Sequence, residues 1–469
     1  MYFTEDYTEN LARMDGILSP DRSFDLVKRK LAIGSDELTM YYINGFVKDD
    51  IMEKLMQYFL GFRGLPRGKD AADRFLTANL PYVEVKVVRK IDPAVTQALS
   101  GGVCMLGSTF GGAAVLVDAR TYPLRSVEEP ESDRVMRGAR DGFVETLLFN
   151  TALLRRRLRD PALRVEYHQA GKRSRTDLAL VYIEGKADPE YVRWLGGKLD
   201  RIDADYLPMG HASLIETMIP GRWYNPFPKV RSTERPDSAA AAVAEGKVIL
   251  LCDNSPEAMI LPTCIFDFLQ EAGDCYFAPT TGSYLRILRH IIFWLTLFFV
   301  PMWYLFVRNP ELVPDWLSFI LPAKSGELPV LAQLYLTEFV IDGLKLASMN
   351  TPNLLANSLS VVGGLILGDF AVQVGWLIPE VILYMAFVTI ANFTQTSYEL
   401  GYAVKFMRMI LLALTALFGL YGLIVGLCLT VLLVATNETL NRKRNYLYPL
   451  VPLNARALLR LLVRVKKKS

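Results

Sequence analysis

The apolar run Ile291–Val307 constrains this chain more than any other feature. Extended back through Leu285–Leu288, it reaches the roughly 20 residues that a hydrocarbon core about 30 Å thick requires. Arg286 and Arg289 stand at its N-terminal flank, and Trp303 and Tyr304 stand near its far end. By the positive-inside rule the region before it is cytoplasmic. The acidic start of the chain, Met1 to Tyr7, has no apolar run and so gives no signal-peptide pattern. Asn309–Leu328, rich in Pro, Glu, Asp and Trp, reads as an external loop. Three more apolar runs follow: Leu355–Leu377, Pro379–Asn392 and Met409–Ala435. Four crossings would return the chain to the side where Arg442, Lys443, Arg444 and Lys466, Lys467 and Lys468 collect. The transmembrane domain is therefore expected over 285–436 and a basic cytoplasmic tail over 437–469. Lys405 and Arg408 fall at the external end of the last crossing, where they either snorkel or face a water-filled path.

Val330–Met349 is ambiguous. Its positions are mostly apolar, yet Glu338, Asp342 and Lys345 fall at i, i+4 and i+7 on one helical face. Such a helix lies in the interface with its charges among headgroups, or packs in the bundle with that face toward water. The all-α bundle thus has about four to five helices. Acids inside membrane segments are costly and mark functional sites by default, so Glu338, Asp342 and Lys345 are the candidate ion path. Asp369 and Glu380 lie near segment ends, where water also satisfies them. Gly363, Gly364 and Gly368 are small residues suited to close helix packing.

The chain is not membrane throughout. Of 469 residues 51% are hydrophobic and the mean hydropathy is +0.22, but 22% are charged, so a globular part accompanies the membrane part. A net charge of +3 without a basic stripe excludes nucleic acid as the expected partner. The five cysteines lack C-x-x-C spacing, and the three histidines (His168, His211, His290) are far apart, so neither a metal site nor a cofactor is expected. Ser108, in a glycine-rich stretch, lacks the G-x-S-x-G setting of a nucleophile, and Asp253-Asn-Ser-Pro256 reads as a structural turn. No enzyme is expected. The Arg155–Arg159 run reads as a solvated helix end, or as a contact for anionic lipid or an acidic partner.

The region before the membrane is a duplication. Glu37-Leu-Thr-Met-Tyr-Tyr-Ile-Asn-Gly45 matches Asp177-Leu-Ala-Leu-Val-Tyr-Ile-Glu-Gly185, and Gly102-Val-Cys-Met-Leu106 matches Gly246-Lys-Val-Ile-Leu250. The two offsets, 140 and 144 residues, are nearly equal. We expect an N-terminal tail over 1–23, then two tandem α/β subdomains over 24–125 and 141–278, with a linker over 126–140.

Several longer motifs resemble the A-subunit family of spore germination receptors. They are Glu129-Pro, the segment with Arg137, Gly138, Arg140, Gly142 and Glu145, and Asn150 to Arg157 with Arg155, Arg156 and Arg157. Asn225, Pro226 and Pro228 followed by Glu234, Arg235, Pro236 and Asp237 belong to the same set, as does the Val-Val-Gly-Gly-Leu-Ile-Leu-Gly stretch within Leu355–Gln373. At Asn254 the family more usually has glycine. Within the family, Tyr42–Asp50 and Met56–Leu60 resemble a sporulation-stage branch more than the nutrient-sensing subunits. The resemblance implies residence in the inner membrane of an endospore and a role in germination. It also implies homo-oligomers that pass ions, and association with other receptor subunits or with the channel that releases dipicolinate. A non-conducting scaffold or signal relay is the alternative.

Overall fold

The computed structural model describes the chain except for residues 48, 81–83, 120–137, 220, 222–223, 324–325, 351–363, 365–367, 369, 442–445 and 464–469. The described residues divide into two compact units. The first holds most of residues 1–263 together with the short stretch beginning at Thr439, and the second holds residues 221–229, 264–438 and the remaining C-terminal residues.

The first unit contains two five-stranded antiparallel sheets with the same strand order. In one, β1 (Leu26–Ile33), β2 (Asp36–Ile43), β4 (Val103–Gly107), β5 (Ala114–Val117) and β3 (Val85–Val88) follow in space. In the other, β6 (Leu163–Ala170), β7 (Thr176–Ile183), β9 (Val248–Cys252), β10 (Ala258–Leu261) and β8 (Arg231–Thr233) take the corresponding places. The pairing agrees in register: Met40 opposes Met105 as Leu180 opposes Leu250. Gly45 and Gly185 close the matched strands with φ of 83° and 82°, a conformation that costs glycine little. The duplication read from those stretches is thus a duplication of structure.

Helices cover both faces of each sheet. In the first repeat α2 (Asp49–Leu60) and α3 (Ala71–Asn79) share one core with Met40, Val103 and Met105. Residues on the other face, Tyr41, Cys104 and Leu106, join α1 (Tyr7–Leu18) and α4 (Ile91–Leu99). In the second repeat α6 (Pro189–Leu199) and α7 (His211–Met218) lie on one face, with α5 (Leu147–Arg157) and α8 (Pro236–Ala244) on the other. Burial on both faces explains why β4, β5, β9 and β10 are continuous apolar runs without alternation.

The tail expected over 1–23 is not one. Asp6 caps α1 by accepting from the Thr8 and Glu9 amides, and Phe3, Leu11, Met14 and Leu18 enter the first core. Asn10 accepts from the Thr4 amide at 2.8 Å and donates to the Thr4 carbonyl at 2.7 Å. Asn150 makes the same two bonds to Val144, six residues before it. The repeat therefore begins with the first residues, and α1 is the counterpart of α5. The expected linker over 126–140 falls almost wholly outside the described residues.

The second unit is helical: α9 (Pro279–Arg308), α10 (Val330–Asn350), α11 (Pro379–Phe393), α12 (Tyr398–Phe418), α13 (Leu420–Ala435) and α14 (Ala455–Leu462). By length and composition α9 and α12 can each cross a membrane. The run Met409–Ala435, expected as one crossing, is broken. Gly419 sits at φ 59° and turns the chain between α12 and α13. Beyond it, a Cβ on Gly422 would lie 1.8 Å from the Leu414 carbonyl oxygen, and one on Gly426 2.7 Å from the Leu411 side chain. The two helices therefore fold back on one another at a distance only glycine allows. Gly364 and Gly368, expected at such contacts, have nothing within 4 Å of a built Cβ among the described residues, and Gly363 lies outside them. Nor is 437–469 a free tail: the Leu440 carbonyl accepts from the Tyr191 hydroxyl in the first unit, while Tyr446 is buried in the second.

Candidate functional site: a buried charge cluster among helices

Glu338 and Asp342 are one turn apart on α10, and Lys405 and Arg408 are one turn apart on α12. Two helices packed side by side bring such pairs into register, because i, i+3 and i, i+4 positions share a face. Glu338 Oε1 accepts from Arg408 Nη2 at 2.6 Å and lies 3.4 Å from Lys405 Nζ. Lys405 Nζ also donates to Asp342 Oδ2. From α9, the Thr296 carbonyl accepts from Arg408 Nη1 at 3.2 Å. Glu338 is 7% exposed, Lys405 3% and Arg408 4%. Around them stand Val300, Leu334, Met385 and Leu412.

The charged face of residues 330–349 meets the bases of α12 rather than headgroups or open water. The acids of α10 face inward onto α12, while Leu336, Phe339 and Leu346 are among its exposed side chains. A charged face laid among headgroups would show the reverse. Burying ions costs several kcal/mol each unless they are paired and hydrogen-bonded, and here two acids meet two bases. Asp342 Oδ1 alone has no hydrogen-bond partner. Lys345, one turn beyond Asp342, sets its ammonium 4.9 Å from the Phe393 ring centroid and 5.8 Å from that of Tyr402. The sequence singled out Glu338, Asp342 and Lys345 but not what neutralises them. Lys405 and Arg408, expected at a helix end, occupy the interior of α12 and complete the cluster.

The motif residues of the first unit make other contacts. Arg155 is 1% exposed and forks onto Asp25, with Nε to Oδ2 at 2.9 Å and Nη2 to Oδ1 at 3.1 Å. Its Nη1 donates to the Leu163 carbonyl at 3.1 Å. Asp25 precedes β1 and Arg155 ends α5, so this buried pair ties the first repeat to the second. The reading of a solvated helix end fails for Arg155, and Arg157 pairs with Asp141. Arg235 is fully buried against Asp237 and the Ala139 carbonyl, at the start of α8 where Pro236 takes the first turn. The Glu234 carbonyl accepts from the Phe143 amide and the Glu145 carbonyl from that of Asn254. Gly142 is buried, Gly138 and Arg140 are exposed, and Arg137 lies outside the described residues.

The Asn225–Pro228 loop belongs to the helical unit. Asn225 donates to the Leu433 carbonyl at 2.8 Å, and the Pro228 carbonyl accepts from Asn437 and Tyr446. Pro226 lies between these contacts, beside Phe227, which is buried with Phe268, Phe293 and Leu297.

The remaining candidates are structural. Ser108 accepts from the Glu37 amide in a turn. Asp253 accepts from the Leu147 amide and so caps α5. Asn254 stands at φ 60°, a left-handed conformation that glycine would adopt without strain. His168 pairs with Asp200, His211 with Ser255 and Glu257, and His290 with the Arg286 carbonyl. Among the described residues no group of His, Cys, Asp or Glu could hold a metal.

Comparison with known proteins places these observations in a family. The profile described as Bacillus/Clostridium GerA spore germination protein matches residues 14–469. Stage V sporulation protein AF of Bacillus subtilis (strain 168) is 39% identical over 463 residues, covering 99% of this chain and 92% of the relative. Spore germination protein KA of the same organism is 27% identical over 451 residues, 94% of this chain and 82% of the relative. Tyr42–Asp50 and Met56–Leu60, where the chain resembled a sporulation-stage branch, agree with that ranking. Among solved structures, the N-terminal domain of the A subunit of the Bacillus megaterium spore germinant receptor GerK3 matches with a TM-score of 0.39 and 22% identity, over 55% of this chain and 96% of that one. The chain belongs to the GerA family of spore germination proteins.

Proposed function

We propose that this protein is a multi-pass component of the endospore inner membrane that conducts ions during germination as a homo-oligomer. Its α/β unit lies on the cytoplasmic side. The observation that carries the proposal is the cluster of buried Glu338, Lys405 and Arg408 with half-buried Asp342, and Lys345 beside it, on helices rich in apolar side chains. Charges so costly to bury are kept where they can change partners. In the closed state the acids hold the bases of α12. Opening frees Glu338 and Asp342 to face a passing cation, and the duplicated α/β unit biases the two states by binding one of them better. Membrane lipid and other germination membrane proteins, receptor subunits or dipicolinate-channel proteins, are the partners this role requires. Neither catalysis nor a cofactor enters it.

A second reading, a non-conducting scaffold or signal relay, draws on the same cluster: each acid already has a basic partner, so no bare acidic surface faces a path. Potassium efflux from liposomes holding the purified chain separates the two. Efflux that changes with Glu338→Gln/Arg408→Gln, at unchanged oligomer size, supports conduction beside α10 and α12. Absence of efflux from the folded chain, alone and with receptor subunits co-reconstituted, would leave the scaffold.

A further inference from the structure

The C-terminal helix α14 packs against α9, and its basic composition is one that the charge cluster does not use. Asn454 opens it, accepting from the Ala457 amide. Arg456 and Arg460 recur at four-residue spacing, and Arg464 and Lys466, Lys467 and Lys468 continue the series in sequence. At about 100° per residue the two arginines share one side of the helix, while Leu458 and Leu462 fall opposite, flanked by Leu459 and Leu461. Leu459 is 60% exposed, Leu458, Leu461 and Leu462 are half-buried, and Leu450, Val451 and Leu453 just before the helix are exposed as well. After Glu438 the chain carries no acidic residue, whereas it carries nine lysines and arginines. A helix with this pattern, in the same unit as the apolar α9, is not built for water.

We infer that α14 and the segment 450–454 lie in the headgroup layer of an anionic membrane leaflet, with the basic side of the helix that carries Arg456 toward lipid phosphates and the leucines at the acyl boundary. The charge of the segment selects the surface: nine cations without one acid complement anionic lipid and are repelled by nothing in it. The apolar side chains supply a second anchoring term, since stable attachment to a surface takes two signals. The inference rests on the membrane reading above but not on ion conduction.

Hydrogen exchange on the full chain tests it, in nanodiscs of phosphatidylcholine alone and of phosphatidylcholine mixed with phosphatidylglycerol. The amides of 457–463 should exchange more slowly in the anionic discs. Arg456→Gln/Arg460→Gln should remove roughly thirtyfold of that slowing, and high salt should weaken it. The amides of α9 should be protected equally in both lipids. Equal exchange of α14 in both lipids, with α9 protected in each, overturns the inference, whether the helix then docks on protein or stays in water. Failure of α9 to be protected in either lipid overturns the membrane reading, and this inference with it.

Discussion

The charge cluster makes a quantitative prediction about Glu338. Glu338→Gln keeps the side chain's shape and one acceptor oxygen but removes the charge that Arg408 meets at 2.6 Å. Lys405 retains Asp342, so the stranded charge is Arg408, held only by the Thr296 carbonyl. A buried arginine left without its counter-ion costs about 3 kcal/mol, which is roughly a hundredfold in the folding equilibrium. Arg408→Gln strands Glu338 in turn, although Lys405 at 3.4 Å softens the loss. Glu338→Gln/Arg408→Gln removes both charges and leaves two amides able to bond each other, so it should recover most of the stability. A double-mutant cycle, followed by denaturant titration of the full chain in detergent, should therefore give a coupling energy of about 2–3 kcal/mol. A coupling below about 0.5 kcal/mol would mean that the two side chains do not depend on one another, and the ion pair would contribute nothing to holding α10 on α12.

Three further outcomes follow from the α/β unit. Arg155→Ala strands Asp25 in the core between the repeats and should cost about 3–5 kcal/mol, and Arg155→Lys should not restore it because a lysine cannot fork onto both carboxylate oxygens; thermal unfolding within experimental error of the parent would contradict the pairing. Asn254→Gly should leave stability within about 1 kcal/mol, whereas Asn254→Val, forced to φ 60°, should lose about 1–2 kcal/mol in the same assay. Burial pushes the Cys104 and Cys252 thiols up from 9.0 to about 12. The folded chain thus holds both protonated while the unfolded chain ionises them, so stability should fall as pH rises from about 9 toward 12, by up to about 1.4 kcal/mol per unit per thiol. Cys104→Ala/Cys252→Ala should flatten that slope in alkaline unfolding curves, and an unchanged slope would show that other groups carry it.

The α/β unit was legible because its duplication left matching strands at matching glycines. The α1 helix escaped because it is short and polar on its outer face, so nothing in it looks like core. Yet the signal was present: Asn10-Leu-Ala12 and Asn150-Thr-Ala152 stand at the same spacing of 140 residues as Gly45 and Gly185. Arg155 escaped for a different reason. A run of adjacent arginines suggests one solvated patch, but successive helical residues point about 100° apart, so a single member can turn inward while its neighbours stay out. Its partner Asp25 lies 130 residues away, and no local pattern indicates such a pair.

In the helical unit the spacing held more than the hydropathy. Apolar runs give the number of residues available for crossing but not where a helix breaks, because glycine is common inside membrane helices and Gly419 looks like any other. Only the close approach of Gly422 to Leu414 reveals the turn. The charges, by contrast, carry directional information. Glu338 and Asp342 at i, i+4 and Lys405 and Arg408 at i, i+3 are complementary faces of two helices that pair two acids with two bases in an apolar unit. Two such faces in one apolar domain satisfy each other more cheaply than either satisfies itself by snorkelling. Lys345 follows from the same reasoning as the exception: with both acids engaged by α12, its ammonium is left to aromatic faces, the weakest of the available partners. Of the five charges it is therefore the one most easily exchanged. Any change of state in this unit should move Lys345 onto Asp342 before it disturbs the bond between Glu338 and Arg408.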